Sequence, residues 1–249
     1  IFRVCIILIL LSMLVPLRIG YSAADQQIDD IELKVQDLFQ KLTPEEKVGQ
    51  LFLVAFQGRE VTDKSEIYDL IVNRHVGGVV LNLANDNFTS LNTVENTYQL
   101  TQTLQQIEWE GPKGSESLES NTNNTQPDNY IPIFIAISQE GDSYPYNSII
   151  NGVTTLPSQL AIGATWDLNL AESAGNVLGE ELSILGFNML LGPSLDVLDV
   201  PYVEGGDDLG ARTFGGDPFW VGELGKAYIK GVHVGSNNQI AVISKHFPG

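Results

Sequence analysis

Five short apolar runs, set apart by longer amphipathic stretches, limit what this chain can fold into more than any other feature. They are 49–56 (GQLFLVAF), 75–82 (HVGGVVLN), 131–138 (IPIFIAIS), 186–192 (GFNMLLG) and 239–244 (QIAVIS). Each is nearly continuous in apolar residues, which suits parallel strands covered on both faces. The stretches between them carry helical spacing and start signals. Thr43, Pro44 and Glu46 set a capping residue, a proline at the first helical position and an acid at the third. Residues 62–74, 90–108, 168–185 and 218–233 place apolar side chains at helical intervals. Strands alternating with helices predict an α/β fold with a parallel sheet. Two architectures fit: an open doubly wound sheet, or a (β/α)8 TIM barrel of which only about the first five βα units are present. No Gly-x-Gly-x-x-Gly follows the first run, which counts against the dinucleotide-binding form of the open sheet. Local pattern leaves both architectures open, with the barrel slightly ahead.

The N-terminal end reads differently. Residues 4–17 are an uncharged apolar run between Arg3 and Arg18, followed by Ser22, Ala23 and Ala24. That order, and a run short for a bilayer span, predicts a signal peptide over 1–24, an exported protein and no stable membrane span after cleavage. The single cysteine, Cys5, lies inside this segment, so residues 25–249 hold no disulfide. Residues 110–129 are polar, rich in Ser, Asn and Gly, and without apolar period, which predicts a disordered surface insertion in the 25–249 domain. Asn87 and Asn123 each start a match to the glycan acceptor pattern. A formal net charge of −18 excludes nucleic acid and anionic membrane surfaces as partners.

Sites in either architecture form where parallel strands end at their carboxyl side. The third run releases Ser138, Glu140 and Asp142; the fourth releases Asp196 and later Arg212; the fifth releases Lys245 and His246. Mixed donors and acceptors of this kind suit a neutral ligand with many hydroxyls. A glycine-rich phosphate cradle is not evident, and His75, His233 and His246 stand too far apart in sequence to suggest zinc, so no metal or organic cofactor is expected. Plainer roles exist for single residues. Asp196 could cap a turn, and Arg212 could pair on the surface with Asp207, Asp208 or Asp217.

Seven blocks in order resemble the N-terminal domain of glycoside hydrolase family 3: LTPEEKVGQLFLVAF, VGGVVLN, IPIFIAISQEGD, TTLPSQLAIGAT, LGEELSILGFNMLLGPSLDV, ARTFGGDP and ISKHFPG. The Gln-Glu-Gly after the third run and the Pro-Gly ending are similar to the β-N-acetylhexosaminidase branch. The resemblance implies a (β/α)8 barrel and a retaining mechanism through a covalent glycosyl-enzyme, with an oligosaccharide or glycoside as substrate. It implies that Arg212, Lys245 and His246 hold the hydroxyls of the sugar in the cleavage subsite, with Asp196 and Asp142 as further substrate-binding candidates. The family usually has Asp at the position of Ser138 and Gly at that of Asp142. By the same resemblance, the nucleophile and the acid/base are expected beyond Gly249, so this stretch supplies a substrate subsite and not the catalytic pair. A β-glucosidase or β-xylosidase, or a non-catalytic sugar-binding envelope protein, are the alternatives.

Overall fold

The computed structural model describes residues 23–111, 130–141, 147–198 and 209–247, with side chains from residue 31 onward. The chain divides into two compact units after Leu42. The first contains helix α1 (Ala23–Lys41), where Lys41 pairs with Asp37 one turn earlier at 2.8 Å. Most of the expected signal segment lies outside the described residues. Among those described, no helix is long and apolar enough to cross a membrane.

The second unit runs α2 (Pro44–Gly49), β1 (Leu53–Ala55), α3 (Glu66–Val72), β2 (Gly78–Leu81), α4 (Thr93–Glu110) and β3 (Phe134–Ile137). It continues with α5 (Gln159–Gly163), α6 (Leu168–Ile184), β4 (Met189–Ser194), α7 (Pro218–Gly235) and β5 (Ala241–Lys245). The helix starts obey their sequence signals. Thr43 Oγ1 accepts from the Glu46 N–H at 3.2 Å, while Glu46 Oε2 accepts from the Thr43 N–H at 2.7 Å, closing a capping box. Asp217 caps α7, with Pro218 behind it.

The five strands form one sheet in the order β1-β2-β3-β4-β5, and every neighbouring pair is parallel. A doubly wound sheet reverses its strand order at a switch point. This sheet never does, so the units are consecutive parts of a barrel. Alternate positions along each strand sort onto two faces. Val79, Ile135, Ile137 and Leu190 are buried in the core shared with Ile71, Leu104 and Leu182 of the helices. Leu53, Gly78 and Phe134 share one register row. A Cβ at Gly78 would strike the Leu53 and Phe134 side chains, so only glycine lets that row close up.

Three differences from the sequence reading have physical causes. The first apolar run shortens to Leu53–Ala55, because α2 extends to Gly49 and Leu51 and Phe52 turn. Helix α5 is too short to show a period. Asn87 is not an accessible glycan acceptor: it is buried, and its amide nitrogen already donates to the carbonyls of Phe56 (3.1 Å) and Gly58 (2.5 Å). The second acceptor match, Asn123, and nearly all of the polar insertion lie outside the described residues.

Candidate active site

The carboxyl ends of β2, β3 and β5 and a turn that follows β4 meet in a cavity of about 380 Å³ lined by Asn82, Ser138, Glu140, Asn147, Arg212 and Lys245, among others. Strand alternation places Ser138 on the face of Phe134, and Lys245 on the face of Ile243, away from the helices. Lys245 Nζ forms an ion pair with Glu140 Oε1 and donates to Ser138 Oγ at 3.1 Å. Ser138 Oγ in turn reaches Glu140 Oε1 at 3.3 Å and the Leu191 carbonyl at 3.1 Å. Arg212 Nη1 stands 3.8 Å from Glu140 Oε2. Lys245 and Arg212 each keep 22% of their side chains exposed, whereas Glu140 keeps 2%.

Short elements bring these groups together. Arg212 ends a 3-10 turn, Gly210–Arg212, which packs against α5. With its amide oriented to match its neighbours, the buried Gln159 donates to the Arg212 carbonyl and accepts from the Ser194 N–H at 3.2 Å. One small side chain thereby ties the arginine turn to the end of β4.

Asp196 and His246 form a second group beside the cavity and do not line it. His246 Nδ1 lies 2.7 Å from Asp196 Oδ2, and Ser194 donates to the same oxygen at 2.7 Å. The His246 N–H adds longer contacts at 3.3 and 3.4 Å. Burial alone pushes the Asp196 carboxyl up. Hydrogen bonds from the His246 ring, Ser194 and the His246 amide, together with the His246 charge, outweigh it and hold the group below its ordinary range. The turn-capping role for Asp196 is therefore replaced by a carboxylate–imidazole pair. Arg212 faces Glu140, and Asp217 serves as the α7 cap. Asp142, Asp207 and Asp208 lie outside the described residues.

Glu140 is the residue that sequence reading passed over as a candidate. Its signal was present in the Gln-Glu-Gly stretch after the third run, but a lone acid there looks like any loop carboxylate. A larger hollow of about 530 Å³ lies along β1, between α2 and α3, lined by apolar groups such as Val48, Phe52, Val54 and Leu70. It is larger than the rim cavity but lacks the charged convergence, so the rim cavity is the candidate site.

The model of the glycosyl hydrolase family 3 N terminal domain matches residues 43–249. The chain belongs to that family. A glycoside hydrolase family 3 β-N-acetylglucosaminidase from Paenibacillus sp. str. FPU-7 superposes with a TM-score of 0.66 at 33% identity, covering 84% of this chain and 34% of that one. A β-N-acetylglucosaminidase/β-glucosidase of Cellulomonas fimi is 25% identical over 235 residues, 93% of this chain and 34% of its own length. A β-hexosaminidase of Bordetella avium is 33% identical over 124 residues, 47% of this chain and 33% of its own. The chain thus spans about a third of the length of these two curated relatives.

Proposed function

We propose that the protein containing this chain is an exported, retaining exo-glycosidase that removes terminal β-linked N-acetylhexosamine, and that this chain supplies the subsite for the terminal sugar. The observation that carries the reading is the rim cavity. Lys245, Arg212, Ser138 and Glu140 meet there within the family domain, with the Asp196–His246 pair alongside. Cationic donors beside hydroxyl and amide groups match the alternating hydroxyls of a sugar ring, and orienting that ring lowers the barrier to its transfer. The nucleophile and the acid/base are assigned to parts of the protein beyond this chain. A β-glucosidase is the second reading, because the Cellulomonas fimi relative is named for both activities.

The test is steady-state kinetics of the complete protein on aryl N-acetyl-β-glucosaminide and aryl β-glucoside. Preference for the first supports the hexosaminidase, and preference for the second the glucosidase. Lys245→Ala and Arg212→Ala should each lower kcat/KM about ten- to a hundredfold, the loss expected for a hydrogen bond between a charged group and a buried hydroxyl. Wild-type kinetics in both variants would remove these residues from the sugar site. Binding of the sugar without turnover of either glycoside would identify a sugar-binding protein instead.

A further inference from the structure

Glu140 is the least exposed charged side chain at the rim, and the cations converge on it. Oε1 pairs with Lys245 and receives the Ser138 hydroxyl, while Oε2 lies at ion-pair distance from Arg212. At 3.8 Å that second contact is no hydrogen bond, and Oε2 has no hydrogen-bond partner despite its burial. The backbone beneath is pinned. Asn147 Oδ1 accepts from the N–H groups of Glu140 at 3.0 Å and Gly141 at 2.8 Å. The Gln139 amide bonds reciprocally with the Ile149 backbone at 2.8 and 3.0 Å. A carboxylate fixed this firmly is no solvated loop end.

Long cationic side chains carry much rotamer entropy, so an unclamped Lys245 or Arg212 would lose that freedom when a ligand arrives. We propose that Glu140 is the positioning residue of this subsite: its buried carboxylate holds the Lys245 ammonium and draws the Arg212 guanidinium over the same cavity, setting both before the ligand binds. An ammonium has three donors. Glu140 and Ser138 take two, which leaves Lys245 one hydrogen bond for a ligand hydroxyl. The inference rests on the carbohydrate reading for its ligand, but the clamp itself does not need it.

The experiment uses the complete protein. Glu140→Gln keeps the length of the side chain and removes its charge. The clamp predicts a fall in kcat/KM of tenfold or more on the preferred aryl glycoside, with cooperative melting retained. In a Lys245→Met background the same substitution should cost much less, since the principal group it positions is gone. A second readout needs no ligand: acetylation of Lys245 by N-hydroxysuccinimide acetate, followed by mass spectrometry, should be several-fold faster in Glu140→Gln. If that variant does not fold, Glu140→Asp keeps the charge but withdraws it, and should release Lys245 to the reagent in the same direction. Unchanged Lys245 reactivity, or additive losses in the double variant, overturns the clamp. Faster acetylation in a protein that hydrolyses and binds neither glycoside would keep the clamp and overturn the carbohydrate reading.

Discussion

Asp196 orients the imidazole beside it. Its carboxyl is held below its ordinary range, so at neutral pH it is an anion and can only accept. The proton in the 2.7 Å contact therefore sits on His246 Nδ1, and the carboxylate holds the ring by that nitrogen. A depressed folded-state value contributes stability above the unfolded value of about 3.9, and that stability disappears as pH falls through the folded value. Asp196→Asn should flatten this acid limb while costing about 1–3 kcal/mol at neutral pH through its disrupted partners. The check is melting temperature against pH for both proteins; matching acid limbs would show that the pair contributes nothing. That Asp196, Arg212, Lys245 and His246 come to the carboxyl side of the sheet was legible in the sequence, because each follows an apolar run. Their division into a cavity and a neighbouring pair was not, since spacing says where a strand ends and not which oxygen a side chain reaches. Glu140 becomes distinct only when folding sets β3 opposite the end of β5.

Helices α6 and α7 meet at backbone contact. A Cβ on Gly175 would run into the Tyr228 carbonyl, and one on Gly179 into that of Val232. Gly231 and Gly235 on α7 stand equally close to the carbonyls of Glu172 and Asn176. In each helix the two glycines are four residues apart and so share a face. Each costs a helix about 1 kcal/mol relative to alanine, a loss that the close crossing offsets. The crossing also serves the site. It seats Tyr228 against Phe214, two residues beyond Arg212, with ring centroids 5.9 Å apart. Burial first, and then the Glu140 charge, push the Tyr228 phenol up. Helix propensity alone says that Gly179→Ala stabilises. The crossing says that it overpacks, at about 1–3 kcal/mol, lowering the melting temperature by several degrees. A raised melting temperature would refute the contact. The helices themselves were readable from caps and apolar period, but the paired glycines look like helix weakness until both helices are placed together.

At the scale of the whole sheet, one face lacks cover. Alternation along the five runs could not separate a barrel from an open sheet, because both are built from the same βα unit; the strand order separates them. A closed barrel of this kind takes about eight units. With five described, β1 and β5 are sheet edges, and residues on the face away from the helices stay open: Leu53 is 44% exposed, Phe134 40% and Ile243 47%. Leu51 and Phe52 extend this apolar surface beyond β1, and the hollow between α2 and α3 adjoins that same edge. Parallel edges with unpaired backbone groups and apolar neighbours are templates for strand addition. Residues 43–249 produced alone should therefore associate, sedimenting as oligomers or aggregates whose share rises with concentration. Leu53→Lys puts an inward-pointing charge on one edge, and Ile243→Lys does so on the other. Each should shift the population toward monomer, the pair more than either alone, as edge charges in natural sheets do. Analytical ultracentrifugation over a hundredfold range of concentration reads this directly. A sharp monomer with a cooperative melt would mean that the five units bury enough surface by themselves, and that the exposed row is ordinary surface and no unfinished barrel wall.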